Sequence, residues 1–507
     1  MTDEEIAQLL CSDAPVVVIE APAGCGKTHQ AANYAANAAS GLKSGRLLVL
    51  THTHAACSVF AGRTRDCKKK IDIRTLDSLI VQIASVYRQS LDLPEDVFAW
   101  ARKNGYEVLA AKVSKLLQTN RFIAKHVAQS YPIVICDEHQ DSNEAQDKIV
   151  QLIGEQGALL RVFGDPMQTI PGGQGQSKKA TAALARWDSI KAGAVFGELE
   201  TPHRWQGTSP DLGKWILEAR QALKNGQPID LTGDLPSGVN VVFAEDGSQT
   251  PTRYQLLPDN WAALNRILDY DSTMLLLATS NQTIQNLRAT FRPRFPIWEG
   301  HTRNHLEQLV QVLVEAEDDL DTQVTAFLNC LQGVIVGFNN STYGNRLIKE
   351  IDAPTKSPRG DIPPQLKVMA ELIRAAPNHI GFSNAADHLR TLITQGADGF
   401  SNLHIDYRRE LDDFIKLKDY DSPQVGLEAI SHRRSRTYPK PPYKALSTIH
   451  KSKGLETQQV FLFACDQKHF PGTQVKRNLF YVALSRATES VTIITSRNAM
   501  SPLIDIS

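Results

Sequence analysis

Val16–Glu20 (VVVIE) is a short apolar run that leads without a break into APAGCGKT (Ala21–Thr28) and then into a helical stretch. A buried strand, a glycine-containing turn and a helix N-terminus leave few choices of fold. Backbone N–H groups of such a turn point inward and the helix dipole favours an anion, so the segment is a cradle for phosphate at the edge of a sheet. Lys27 is placed to reach the β- and γ-phosphates of a nucleotide, and the Thr28 hydroxyl to ligate Mg2+. Ala21 stands where the strict pattern has glycine.

Three more runs repeat the theme. Arg46–Leu50 (RLLVL), Ile133–Cys136 (IVIC) and Leu159–Phe163 (LLRVF) each read as a buried parallel strand ending in a polar or glycine-containing turn. That is the pattern of a doubly wound α/β sheet, whose active groups gather at the carboxyl ends of the strands. Ile133–Cys136 is followed by Asp137-Glu138-His139-Gln140-Asp141. One carboxylate there can hold Mg2+ through water, and the next can polarise an attacking water. Taken alone these residues could form a solvated acidic loop; behind an apolar strand and downstream of a phosphate cradle, that reading is poor. Leu159–Phe163 leads into Gly164-Asp165-Pro166-Met167-Gln168, a third polar cluster placed to sense a γ-phosphate.

The chain has 507 residues, too many for one hydrophobic core. From 79 to 130 the strand signal gives way to helical spacing, which reads as a helical insertion between two strands of the first α/β domain. A second α/β domain is expected to begin near Glu198, to include Thr273–Leu277 (TMLLL), and to resume at Lys444 with strands at Val460–Phe463 and Val491–Thr495. The interruption, 300–443, is mostly helical and holds a proline-rich, loop-like patch from Asp352 to Pro364. It ends in Ser431–Lys444 (SHRRSRTYPKPPYK), which reads as a solvated linker in preference to a phosphate-binding strip.

Composition excludes more than it identifies. The net charge is zero, so a nucleic-acid partner would require Lys and Arg concentrated locally on a balanced surface. The seven cysteines contain no CxxC pair, which argues against a zinc ribbon or a disulfide framework and for a reducing compartment. No apolar run approaches the roughly 18 residues of a membrane span, and the opening MTDEEIAQLL is too acidic for a signal peptide. No membrane partner and a cytoplasmic location are therefore expected.

In their order along the chain these motifs resemble those of the UvrD/Rep/PcrA branch of superfamily 1 helicases. APAGCGKT resembles that family's motif I, with Pro22 in place of the customary glycine. THTHAA (Thr51–Ala56) resembles motif Ia, Arg74-Thr75-Leu76-Asp77-Ser78 motif Ib with Asp77 in place of histidine, and DEHQD motif II. GDPMQTI (Gly164–Ile170) resembles motif III, ELETPHRW (Glu198–Trp205) motif IV, STIHKSKGLE (Ser447–Glu456) motif V and RNLFYVALSRA (Arg477–Ala487) motif VI. The last two are long and stand in the correct order, which makes them the least open to chance.

The resemblance implies two RecA-like doubly wound parallel-sheet domains with helical insertions. Domain 1A would be 1–78 with 131–197, insertion 1B 79–130, domain 2A 198–299 with 444–507, and insertion 2B 300–443. It implies ATP and Mg2+ as cofactors, cradled by Ala21, Pro22, Ala23, Gly24, Cys25, Gly26, Lys27 and Thr28, with Thr28 and Asp137 on the metal. Glu138 would be the catalytic base, Gln168 the γ-phosphate glutamine, and Arg204 and Arg486 the arginine fingers. His203 would lie on the base, Glu456 on the nucleotide side, Gln8 would supply the adenine-reading glutamine, and Gln140 would couple nucleotide state to DNA contacts. Thr51, His52, Thr53, Thr75, Thr448 and His450 would face DNA.

The implied activity is an ATP-driven translocase or helicase on single-stranded or partly duplex DNA, with 3′→5′ polarity. After motif III the family carries an aromatic that stacks on a base; here the chain reads Ile170-Pro171-Gly172-Gly173-Gln174-Gly175, without a ring. Trp205 and Trp298 are the substitutes by position, each equally readable as a packing residue. This departure and the short chain keep a second reading open: a DNA-sensing ATPase subunit that regulates a partner nuclease of the OLD/Toprim type, as in Gabija-type anti-phage defence. An RNA helicase and a self-contained helicase–nuclease are disfavoured, since the motif set is of the DNA branch and the C-terminal region carries no nuclease signature.

Overall fold

Apolar residues in the first strands alternate between two cores, because successive side chains of a strand point to opposite faces. Val17, Ile19, Leu47, Val49, Ile133 and Ile135 enter one core. Val18, Leu48, Leu50, Val134 and Cys136 enter the other. Both faces being buried, the strands can be apolar throughout, as parallel strands flanked by helices are. The computed structural model describes residues 1–65, 69–171, 175–249, 254–256, 264, 268–269, 271–291, 295–298, 304–354, 364–435 and 443–506. They fall into two compact units, Met1–Arg294 with Tyr443–Ser507, and Phe295–Pro442.

Among the described residues the first unit contains two six-stranded sheets. One is built from β1 (Val16–Glu20), β2 (Leu47–Thr51), β3 (Ile71–Thr75), β4 (Ile133–Cys136), β5 (Leu159–Gly164) and β6 (Val195–Glu198). They run parallel in the order β3-β2-β4-β5-β1-β6. α1 (Asp3–Leu10), α2 (Lys27–Gly41) and α3 (His54–Arg63) supply residues to the first core. The second core is closed by α4 (Leu76–Val86), α5 (Val97–Asn104), α6 (Tyr106–Thr119), α7 (Arg121–Ser130), α8 (Glu144–Gly154) and α9 (Gln176–Ala192). The helices of 79–130 thus share a core with the sheet through Leu109, Val113 and Leu117, which join Val18 and Leu48.

A short parallel pair joins β7 (Ile229–Asp230) to the C-terminal Ile504–Asp505. The second sheet contains β8 (Val239–Gln249), β9 (Tyr254–Leu256) and β10 (Met274–Ala278). Lys444–Thr448, Thr457–Leu462 and Ala487–Ser496 complete it, all parallel except for the antiparallel β8–β9 edge. Val195–Glu198 pairs with β1, so it closes the first sheet, and the second sheet begins at β8. The chain is α/β, with two RecA-like parallel sheets and helical insertions.

The second unit is mostly helical, with one two-stranded antiparallel ribbon, Ile335–Val336 with His404–Ile405. Its core centres on Phe327, whose ring lies 5.1 Å from Phe382 and 5.8 Å from Phe414. Trp298 is buried, with the Arg409 guanidinium 4.7 Å from its ring centroid. Residues 355–363 of the proline-rich patch and 436–442 of the basic segment lie outside the described residues; Pro423–Ser435 is helical.

Glu20 breaks the apolar pattern of β1: it is 0 % exposed. Arg220, on α10 (Pro210–Lys224), donates to Glu20 at 2.5 Å, to Asp165 at 3.0 Å and to Glu198 at 2.8 Å. Lys224 also pairs with Glu20, and Trp187 Nε1 donates to it at 3.3 Å. Burial alone would raise the Glu20 carboxyl, but Arg220 and Lys224 override it and hold the group below its ordinary 4.5. Removing one partner of a buried ion pair strands the other, at a cost of about 3–5 kcal/mol. Arg220→Ala is expected to lower stability by about that much in a urea melt. A depressed carboxyl contributes stability above its unfolded value and loses it as pH falls through the folded value. Wild type is therefore expected to lose more stability than Glu20→Gln as pH is lowered from neutrality to below 4.5, read from urea midpoints.

Candidate active site

The loop Ala21–Thr28 leaves β1 beside β5: Ala21 N–H donates to Gly164 O at 2.9 Å. Gly24 and Gly26 have φ of +77° and +82°, the left-handed region that suits glycine. A Cβ at Gly24 would sit 2.7 Å from the Trp205 ring and 2.8 Å from Arg204 Cβ, and one at Gly26 would sit 3.1 Å from His203 Cδ2. His203–Trp205 therefore lies directly on the loop, and Arg204 N–H donates to Gly24 O at 3.1 Å. No side chain caps the N-terminus of α2, where an anion can take up free N–H groups. Cys25 is buried, and burial, then Asp165, pushes its thiol up to about 12.

Lys27 is 10 % exposed, with Nζ in a close ion pair with Glu138 and 3.5 Å from Asp137 Oδ1. Burial would lower the ammonium, but Glu138 and Asp137 hold it above its ordinary value. The buried Asp137 and the half-buried Glu138 share this cation, and they divide the effect. Burial raises Asp137; in Glu138 it is overridden by Lys27 and Lys453, which bring the carboxyl to about 2. Glu138 also has φ of +54°, unusual for a side chain of this size, and such strain is found where a site over-determines the backbone. Its N–H donates to Asp137 Oδ1 at 3.0 Å, and its Oε2 accepts from Gln140 Nε2 at 2.6 Å. Gln140 Oε1 in turn accepts the Asp165 N–H at 3.1 Å, so the acidic turn is tied to the turn after β5.

Asp165 is a buried junction that motif reading did not single out. It accepts from Gln168 Nε2 at 3.0 Å, from the Tyr481 hydroxyl at 3.2 Å and from Arg220 at 3.0 Å. The Tyr481 oxygen also accepts the Ala23 N–H at 2.8 Å, which joins the phosphate loop to the helix Gln474–Leu484. Arg486, following that helix, is buried and donates to Gln168 Oε1 at 3.4 Å, to Leu455 O at 3.3 Å and to Ser485 Oγ at 2.7 Å. Burial, then the like charge of Arg204, brings its guanidinium down to about 10. Arg204 bonds the Ser485 carbonyl and pairs with Glu456. Lys453 Nζ donates to Asp141 at 2.6 Å and to Gln168 O at 2.9 Å. Arg220, Tyr481 and Lys453 meet their partners only through tertiary structure; the one advance signal was that Tyr481 and Lys453 fall inside motifs VI and V.

The other expected residues lie in varied surroundings. Gln8 is exposed, because Ile6 and Leu10 turn the inner face of α1 the other way. From α1 it is Asp3 that meets His203, its Oδ2 2.7 Å from His203 Nε2. Thr51, Thr75 and Thr448 are buried. The Thr51 hydroxyl donates to Thr53 O at 3.0 Å, and that of Thr75 caps α4 by accepting from Ser78 N–H at 3.2 Å. Thr53 is exposed and caps α3. His52 and His450 are half-buried. His52 is held below its ordinary value by burial, and so is His450, by burial and then Lys476. Trp205 is fully buried, its Nε1 donating to Ala487 O at 2.7 Å, so both Trp205 and Trp298 are packing residues. The ringless Gly172–Gln174 of the motif III departure lies outside the described residues.

Residues 4–174 match the model of an AAA domain, and residues 444–494 that of the UvrD-like helicase C-terminal domain. No curated protein matches the chain. Among the described residues, no helix is long and apolar enough to cross a membrane. Gly24→Ala is expected to destabilise the first unit by roughly 1–3 kcal/mol, since it combines left-handed strain with a clash against Arg204 and Trp205. Urea unfolding checks it, and an unchanged midpoint would mean that His203–Trp205 does not press on the loop.

Proposed function

We propose that this chain, a UvrD/Rep/PcrA-like superfamily 1 helicase by its two family matches, is a 3′→5′ translocase on single-stranded DNA. The observation that carries the reading is convergence: Lys27, Asp137, Glu138 and Gln168 from the first sheet meet Arg204 and Arg486 around one loop. The domain assignment that goes with it is 1–78 and 131–197 as 1A, 79–130 as 1B, 198–299 and 444–507 as 2A, and 300–443 as 2B.

The residues fit a magnesium ion. Lys27 is shared between two carboxylates, and in the buried Asp137 burial outweighs it and raises the carboxyl. A magnesium ion takes one or two protein oxygens and the rest from phosphate and water. Thr28 and Asp137 would hold it, and it would neutralise charge developing on the phosphate oxygens. Lys27 would turn from its carboxylates to the β- and γ-phosphates. Glu138, ionised and oriented by Gln140, would orient the attacking water and take its proton. Gln168, Arg204 and Arg486 would stabilise the γ-phosphate, so that full stabilisation requires both sheets to be closed on the nucleotide. His52, Thr53 and His450 are the expected strand-side residues that retain exposure.

The second reading, a DNA-sensing ATPase that regulates a partner nuclease, draws on the burial of both candidate stacking rings. It requires hydrolysis stimulated by DNA without strand displacement. For the motor, purified chain is expected to hydrolyse ATP faster with single-stranded DNA and to displace a strand with 3′→5′ polarity. Lys27→Ala and Glu138→Gln should each lower kcat by about 10²-fold or more. Unchanged DNA-stimulated hydrolysis in Lys27→Ala would exclude this site.

A further inference from the structure

β2 and β4 are neighbours in the first sheet, so the turns that leave their carboxyl ends lie side by side. One carries His52, and the other carries His139 and Ser142. His52 Nε2 is 3.1 Å from Ser142 Oγ, and Ser142 Oγ is 3.2 Å from His139 Nδ1. His139 Nε2 is 2.9 Å from Asp147 Oδ1, and Asp147 Oδ2 accepts from Gln151 at 2.8 Å. Ser142, His139 and Asp147 are all buried.

The chemistry of the four groups gives this chain one direction. A carboxylate only accepts, so His139 Nε2 carries a hydrogen. In the neutral ring Nδ1 then accepts from the Ser142 hydroxyl, whose oxygen accepts from His52 Nε2. A change at His52 therefore alters the polarisation and orientation of each following group. The far end is placed to matter. His139 lies between Glu138, with its strained backbone, and Gln140, which donates to the Glu138 carboxylate. Ser142 is held from behind as well, its carbonyl accepting from Arg186 at 3.0 Å. An apolar residue would fill the space of His139 without any of these bonds.

We propose that His52, Ser142, His139 and Asp147 form a relay through which strand occupancy at the turn after β2 sets the position of Glu138. The relay rests on the motor reading above. Ser142 and His139 act in it as positioning residues, through Glu138 and Gln140.

The test measures ATP hydrolysis by the full chain, without DNA and with saturating oligo(dT), and strand affinity by fluorescence anisotropy. The variants are Ser142→Ala, Ser142→Thr, His139→Phe and Lys27→Ala. Ser142→Ala is expected to keep the basal kcat, the KM for ATP and the strand affinity. It should lose about ten-fold in DNA-stimulated kcat, roughly 1.4 kcal/mol of barrier. Ser142→Thr should restore the stimulated rate, and His139→Phe should show the same loss as Ser142→Ala. Wild-type stimulation in Ser142→Ala overturns the relay and leaves the motor intact. Equal loss of basal and stimulated rates, without rescue by threonine, overturns it as well, since the serine would then only support the fold. A wild type with Lys27-dependent hydrolysis but no stimulation by DNA overturns the motor reading and the relay with it.

Discussion

Lys27 pairs with two carboxylates at the carboxyl edge of the first sheet. It lies within reach of both Asp137 and Glu138; Lys27 and Asp137 are withdrawn from bulk water, and the Glu138 side chain is 31 % exposed. Charge buried in this way is tolerated only while every partner stays in place. The surrounding polar groups follow from that need. Gln140 holds Glu138, Asp165 holds Gln140 and Gln168, and Arg220 neutralises Asp165 together with Glu20. A phosphate entering the loop would compete for Lys27 and leave the carboxylates undercompensated. Binding of an anion there would favour the arrival of new positive charge beside the carboxylates.

Behind the phosphate loop the second layer of charge does a different job. Glu20, Asp165 and Glu198 come from the ends of β1, β5 and β6, and Arg220 gathers them onto α10. The segment just before that helix is bonded to the second sheet, through Trp205 to Ala487, Thr208 to Thr488 and Ser209 to Glu489. α10 is thus anchored at one end to each sheet. A buried ion cluster adds little stability over an apolar replacement, but it fixes a geometry, because its donors and acceptors fit in few ways.

Legibility in the sequence followed chemistry. Val16–Glu20 and Ile133–Cys136 were readable to the residue, since a strand buried on both faces is a bare apolar run between polar turns. Ile71–Thr75 and Val239–Gln249 were not read as strands, because IDIRT and VNVVFAEDGSQ dilute their apolar residues with polar ones. Val195–Glu198 ends in a motif assigned to the second domain, yet hydrogen bonds to β1 place it in the first sheet. Backbone pairing across 178 residues, as between Val17 and Val195, leaves no local trace. Lys27, Asp137 and Glu138, expected together from the order of the motifs, do meet in the structure. Arg220 carried no local signal at all, for an arginine on an amphipathic helix usually faces solvent.

The character of the contacts that cross the cleft bears on how such a molecule could work. Tyr481 to Ala23 N–H, Asn478 to the carbonyls of Pro166 and Thr169, Lys453 to both oxygens of Asp141 and Arg486 to Gln168 are polar contacts. Each can be exchanged for water or phosphate at a net cost of about 0.5–1.5 kcal/mol, or about 1.5–3 where a charge is involved. An apolar interface of the same extent would resist opening in proportion to its area. Polar contacts of this kind let two sheets separate in steps, each set by which donor has found a better acceptor. The bonds made by Lys453 and Tyr481 are the ones a nucleotide would disturb first, since their partners are the Gln168 carbonyl and the phosphate loop itself. Such contacts can be broken one at a time, which a continuous apolar seam does not allow.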